Sequence, residues 1–225
     1  MLNHISSLTE AKRCLLITSK TTGTPGIRGI KAEIFEALVS MRYTVPEVAM
    51  GINSDVSYEK VANEIERFHK FDVAFIDPFH TYEYSLKTLD LGVIMVKDSA
   101  WIVVHDCFPP YELTQENYVE GPWCGSTYQA FIDFASQTDR AWFVINADFG
   151  IGILAPRKTS NLLKAGDLYA RFKWALLGDK RKRERLLSRD APKIFRLIDE
   201  KGFYDVFSKL FHNQLVILSN FQEIN

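Results

Sequence analysis

Residues 71–110 read FDVAFIDPFHTYEYSLKTLDLGVIMVKDSAWIVVHDCFPP. Two short apolar runs, 73–76 and 101–104, each stop at a polar cluster, IDPFHTYE and HDCFPP. Between them, residues 82–96 carry apolar side chains three and four apart, the spacing of one helix face. A short apolar run bounded by turn formers suits a strand buried on both faces, so the stretch predicts strand, helix, strand. A helix-length crossover makes the two strands parallel. Asp77, His80, His105 and Asp106 then emerge at one edge of the sheet, the edge where open α/β sheets bind ligands. Two carboxylates and two imidazoles meeting there can do acid–base or metal chemistry.

On the N-terminal side, residues 1–12 read as a short leading helix or arm, and 14–18 (CLLIT) as a first strand. That strand runs into SKTTGTPGIRG, a loop rich in Gly, Thr and Ser. Residues 30–41 fit a helix, although Ile34, Phe35, Leu38 and Val39 also suit a strand. Residues 45–52 are a second strand candidate, and Ser57 precedes a helix reaching about His69. On the C-terminal side, 126–136 is amphipathic, with Tyr128, Phe131, Ile132 and Ala135 on one face. Residues 141–146 and 150–154 flank a turn of three residues, so they pair antiparallel, because a parallel return needs about a dozen residues. From 159 onward the pattern turns helical over 161–177, 181–187, 192–201 and 204–211, broken by Gly166, Gly178 and Gly202. The expected organisation is an α/β domain over 1–157 and a helical extension over 158–225. The extension reads as a lid, the surface of a homodimer or a small subdomain.

The chain has 225 residues, 47% of them hydrophobic, and a net charge of −1, which suits a domain that buries a full core. A near-neutral balance argues against a nucleic-acid or membrane-surface partner, either of which selects a basic excess. The start, MLNHISSLTEAKR, lacks a basic segment followed by an apolar one, so no secretory signal is expected. No apolar run approaches the ~20 residues of a membrane helix. Cys14, Cys107 and Cys124 lack CxxC spacing and fit reduced thiols in the cytoplasm.

Phe71-Asp72, Phe75-Ile76-Asp77, His80, Tyr82-Glu83, Ile102, His105-Asp106 and Pro109 follow the order fD-x-x-F-I-D-G-x-H-x-Y-E … G-G-x-I-x-x-H-D-x-x-P. Trp123, Gly125, Ala130-Phe131 and the Asp148-Phe149-Gly150-Ile151-Gly152 turn continue it. Over roughly residues 70–155 the chain thus resembles the class I S-adenosylmethionine-dependent methyltransferases, in particular a small bacterial group. The resemblance implies a three-layer, Rossmann-like α/β fold with a mostly parallel sheet and an antiparallel terminal hairpin. It also implies methyl transfer from S-adenosylmethionine to a hydroxyl of a small molecule or sugar.

Departures from that pattern gather at the donor positions. The family's first strand ends in E-x-G-x-x-x-G, whereas Leu16 and Thr18 stand where the acid and first glycine fall. Gly23, Gly26 and Gly29 follow at three-residue spacing, Pro78 replaces the glycine of IDG, and Ser99-Ala100 replaces the paired glycines. The expected cofactor contacts are Gly23, Gly26, Glu36 (or Glu33) for the ribose hydroxyls, and Asp77. The altered loop implies weak donor binding, or a binding or scaffold protein that keeps the fold without catalysis.

Methyl transfer to a hydroxyl needs positioned partners and a proton acceptor, and imidazole titrates in the right range. His105, directly at a strand end, is the first candidate and His80 the second, with Asp106 orienting the ring. The resemblance extends to metal-dependent O-methyltransferases, which implies Mg²⁺ on Asp77 and Asp106; a hard cation takes carboxylates and lowers a hydroxyl pKa. His80, His105 and Asp106 as a transition-metal triad of a hydrolase or lyase is a third reading. The plain alternatives are that Asp77 closes a turn, Asp106 only orients His105, and one histidine caps a loop. The basic run 180–185 (KRKRER) reads as a solvated helix face or a phosphate contact. Trp123, Tyr128 and Phe131 read as core, with Trp123 close enough to the site to stack on a sugar or aromatic ring. Cys107 and Cys124 read as small apolar residues.

Overall fold

The computed structural model describes residues 2–19, 37–43, 70–164 and 191–217, and structural statements refer to these. Strand β1 (Arg13–Ser19) follows helix α1 (Leu2–Thr9), and β2 (Ala37–Tyr43) pairs parallel to it. Then come β3 (Phe71–Asp77), α2 (Tyr82–Met95) and β4 (Val96–Val104), the expected strand–helix–strand unit. Helix α3 (Thr127–Ala135) precedes the antiparallel hairpin of β5 (Trp142–Ile145) and β6 (Ile151–Leu154). A short β7 (Leu163–Lys164), α4 (Ala191–Ile194), β8 (Leu197–Ile198), α5 (Glu200–Phe211) and β9 (Val216–Ile217) complete the described chain.

Seven strands form one sheet in the order β2-β1-β3-β4-β6-β5-β8. All pairings are parallel except those of β6 with β4 and with β5, so β6 alone runs against the rest. Helix α2 makes the crossover between β3 and β4, and the hairpin inserts β6 between β4 and β5.

Period-two alternation divides the side chains between two cores. Leu15, Ile17, Ala74, Ile76, Ile102 and Val104 face α2 and α3, joined by Leu89, Met95, Tyr128 and Phe131. Cys14, Leu16, Val73, Phe75, Trp101 and Val103 face the other way, under Ile5 of α1 and Phe203, Val206, Phe207 and Leu210 of α5. Helices on both faces make the three-layer α/β sandwich expected of the motif order. Two polar links lock α2 to α3: Tyr82 donates to Asp133 at 2.8 Å, and the Ser85 and Thr127 hydroxyls meet at 3.1 Å. Arg140 is a buried staple, donating to the carbonyls of Ala100 (2.8 Å), Ala155 (3.0 Å) and Lys97 (3.2 Å).

Two local expectations change. The strand beside β1 is 37–43, overlapping the end of the segment read as a helix over 30–41; pairing along all of β1 decides the matter, since the apolar pattern there fits both periods. Within the helical pattern after 159, Leu163–Lys164 and Leu197–Ile198 are strands, the latter paired to β5. Helix α5 covers one face of the sheet, so the described residues after 190 pack on the α/β sandwich itself. The second strand candidate at 45–52, the helix after Ser57 and the basic run 180–185 lie outside the described residues.

Candidate active site

Asp77 ends β3, and His80 follows in the turn before α2. His105 and Asp106 follow β4 directly, and the His105 amide donates to Ile76 O at 2.9 Å, tying the two strand ends together. The four side chains therefore meet at the carboxyl edge of the parallel strands, as the spacing predicts.

They form a chain of contacts from the interior outward. His80 Nδ1 hydrogen-bonds the Trp123 carbonyl. His80 Nε2 lies 2.8 Å from Asp106 Oδ2 and 3.4 Å from Asp77 Oδ1. The other oxygen of Asp106 lies 3.2 Å from His105 Nδ1. His105 Nε2 in turn lies 3.2 Å from Asp148 Oδ2, close enough for charge attraction but outside hydrogen-bond alignment. Asp77, His80 and Asp106 are buried, whereas the Asp148 side chain is 64% exposed.

Each nitrogen's partner sets the protonation. A carbonyl only accepts, so His80 Nδ1 carries hydrogen; ionised carboxylates only accept, so Nε2 carries one too, and the ring is an imidazolium. Burial, the largest influence, favours neutral His80, but bonds and charge from Asp106 and Asp77 outweigh it and raise the pKa from 6.5 to about 9. His105 is likewise raised to about 9, against burial, by Asp106, Asp77 and Asp148. Burial pushes the Asp106 carboxyl up, but bonds from His105 and His80 and their charge win, holding it well below the usual carboxylate range.

Backbone strain is concentrated here. Asp106 (φ 60°), Asp148 (φ 45°) and Phe149 (φ 59°) are left-handed non-glycine residues, and Gly150 follows at 86°. The Asp148 turn is held by Cys107 N to Gly150 O and Phe108 N to Phe149 O, both 2.8 Å. A side chain at Gly150 would strike the Phe108 backbone, so the turn closes against the loop after β4. Gly125 does similar work at φ 51°: a Cβ there would strike the His80 carbonyl, which accepts from Ser126 N at 2.7 Å. Phe79, Tyr84 and Trp123 form an aromatic cluster behind His80, and exposed Tyr118 stacks on Phe79.

Asp148 and the Trp123 carbonyl are the members of the chain that sequence reasoning did not assign. The DFG turn was visible, but its return across β6 to His105 depends on sheet order. Gly23, Gly26 and Glu36 lie outside the described residues. Asp77 stands in register with Thr18 of β1, whose hydroxyl is buried and has no hydrogen-bond partner among the described residues. That hydroxyl stands beside Asp77 at the carboxyl end of β1, the edge where open α/β sheets bind ligands.

Ligand atoms of Asp77, His80 and Asp106 all lie within 4.8 Å of one another, whereas His105 Nδ1, 3.2 Å from Asp106 Oδ1 and 4.0 Å from Asp77 Oδ1, is not part of that group. The convergent triad is therefore Asp77/His80/Asp106, in place of the expected His80/His105/Asp106. It does not fit Mg²⁺: the imidazole stands between the carboxylates, and a hard cation prefers an all-oxygen shell with water. Cys107 and Cys124 are buried, and burial pushes both thiols up, as expected of small core residues.

No helix among the described residues is long and apolar enough to cross a membrane. No protein-family model matches the chain, and no curated protein matches it. Among solved structures it is similar to a protein described as a caffeoyl-CoA O-methyltransferase from Staphylococcus aureus, at 13% identity and TM-score 0.45 over 69% of this chain and 80% of that one. An O-methyltransferase from Bacillus cereus in complex with SAH gives 10% identity and TM-score 0.41 over 68% and 78%. TomG of Streptomyces achromogenes, an O-methyltransferase of tomaymycin synthesis in complex with SAM, gives 12% and 0.43 over 69% and 77%. Likeness at this level leaves the functional argument to the residues of the chain itself.

Proposed function

We propose that the chain transfers a methyl group from S-adenosylmethionine to a hydroxyl of a small molecule or sugar. The observation that carries this reading is the imidazole–carboxylate chain at the carboxyl edge of β3 and β4, in IDPFHTYE and HDCFPP, which follow the resembled family's order apart from Pro78. Thr18 and Asp77 are the described residues that would meet the donor. When bound, S-adenosylmethionine supplies a sulfonium methyl group open to in-line attack by oxygen.

His105, in its neutral form, is the residue that takes the acceptor's proton, on Nε2; because its pKa is raised to about 9, that form is the minor one at neutral pH, and turnover should rise as pH approaches 9. Asp106 keeps hydrogen on Nδ1 and stabilises the imidazolium that results. His80 cannot share this task, because both its nitrogens are committed donors; it positions Asp106 instead. Asp148 covers Nε2 and must yield that place to the acceptor hydroxyl. Exposed Phe149 lies edge-to-face with His105 and offers a ring to an acceptor. No step runs through a metal. The departures at Leu16 and Thr18 favour a second reading, a binding protein of this fold without catalysis.

The test is calorimetric titration with S-adenosylmethionine, with and without hydroxyl acceptors, followed by labelled methyl transfer. Donor binding weaker than about 1 µM, tightened by acceptor, is expected. His105→Gln should lower turnover about 10²–10⁴-fold with donor binding intact. No donor binding at about 1 mM, acceptor present, refutes methyl transfer and leaves the second reading.

A further inference from the structure

The hairpin turn that carries Asp148 is fixed from two sides. Cys107 N donates to Gly150 O and Phe108 N to Phe149 O, and within the turn Gly150 N donates to Ala147 O, each at 2.8 Å. Asp148 and Phe149 are held left-handed in it, and Gly150 lies too close to the Phe108 backbone to accept a side chain. A hydroxyl arriving at His105 Nε2 therefore displaces the Asp148 side chain, which is 64% exposed, and leaves the turn in place. The carboxylate stays within side-chain reach of whatever occupies the site.

Among the described residues, the charge partner of Asp148 is His105, whose Nε2 lies 3.2 Å away, buried and without a hydrogen bond. Proton removal needs neutral His105, and a neutral ring is no counter-ion. Asp77 and Asp106 keep the His80 imidazolium at 3.4 and 2.8 Å. Of these carboxylates, Asp148 alone loses its cation when the base is ready. An ionised carboxylate only accepts, so the molecule that takes its place beside Nε2 must bring it a donor. A charged donor makes the stronger bond and restores the balance of charge. Because Nε2 and the carboxylate are neighbours, the donor belongs close to the reacting hydroxyl, on the adjacent carbon.

Resting on the methyl-transfer reading, we propose that the acceptor is a cationic alcohol, an amino alcohol or amino sugar with its ammonium group beside the methylated hydroxyl, and that Asp148 selects it. A neutral diol offers Asp148 a hydrogen bond but no counter-ion. Phe149, 41% exposed and edge-to-face with His105, gives the carbon ring of such an acceptor an apolar neighbour. The bound ammonium also offsets the Asp148 charge, one of those that keep His105 protonated, so binding itself favours the neutral base.

The probes are 2-aminocyclohexanol, cyclohexane-1,2-diol and cyclohexanol, titrated into the full chain with S-adenosylhomocysteine present so that no methyl group moves. Calorimetry reads affinity, and nitrogen-15 NMR reads the His105 ring. The amino alcohol should bind about five- to tenfold more tightly than the diol, the worth of one charge-assisted bond to an exposed carboxylate. It should also lower the His105 pKa, which the diol should not. Asp148→Asn keeps the shape and tolerates a left-handed backbone, and it should erase both differences. Asp98→Asn makes the same change of net charge at the far end of β4 and should preserve them. An amino alcohol that fails to bind saturably, binds no better than the diol, or keeps its advantage in Asp148→Asn would overturn the proposal. Labelled methyl transfer from S-adenosylmethionine judges the underlying reading separately. A preference that depends on Asp148 without transfer to any probe upholds the selection of a cationic ligand and removes only methyl transfer. A diol methylated as efficiently as the amino alcohol does the reverse.

Discussion

Replacing Asp106 with Asn should uncouple the two histidines from their shared carboxylate with little change of shape. In the native protein both rings titrate near pH 9 instead of 6.5. For one ring, that displacement corresponds to about 3 kcal/mol of preference for the imidazolium. Burial opposes the charged ring at both positions, so Asp106→Asn leaves that opposition standing with only Asp77 beside His80, and Asp77 and Asp148 beside His105. Both pKa values should fall by about two pH units, toward or below the ordinary value. Nitrogen-15 NMR of the imidazoles, assigned with His80→Gln and His105→Gln, measures this directly. Stability follows with a definite sign. A raised histidine pKa contributes stability that is fully present below about pH 6.5 and is lost as pH rises through about 9. Urea midpoints of the native protein should therefore fall between those pH values, and Asp106→Asn should flatten the fall. Native rings titrating near 6.5, or a variant whose rings titrate like the native ones, would refute the paired-imidazolium account.

Gly125→Ala places a methyl group against the His80 carbonyl at a left-handed φ, and should cost about 2 kcal/mol or more in chemical denaturation; an unchanged midpoint would show that the loop can move aside. Arg140→Met removes two buried bonds, to the carbonyls of Ala100 and Ala155, and a partly buried one to Lys97, so a loss of about 2–3 kcal/mol is expected by the same assay, and a neutral result would mean that water replaces the guanidinium.

The unit β3–α2–β4 and the β5–β6 hairpin were legible in the amino-acid order alone. Apolar period and turn length are local properties, and they place Asp77, His80, His105 and Asp106 at one edge before any fold is known. They also mark Tyr128, Phe131, Ile132 and Ala135 as one buried face of α3. Tertiary structure alone decided the rest. Ile34, Phe35, Leu38 and Val39 satisfy either period, and only the free edge of β1 makes residues 37–43 a strand. Two residues at 197–198 are too short a run to announce a strand, and β5 supplies their partner. Asp148 reaches His105 because β6 lies between β4 and β5, an order that no local pattern encodes. Which nitrogen meets which oxygen, and therefore that His80 positions Asp106 while His105 turns its Nε2 toward Asp148, follows from contacts between residues distant in the chain. Spacing along the chain limits which groups can share an edge, but protonation depends on distances of an ångström or less, and packing sets those.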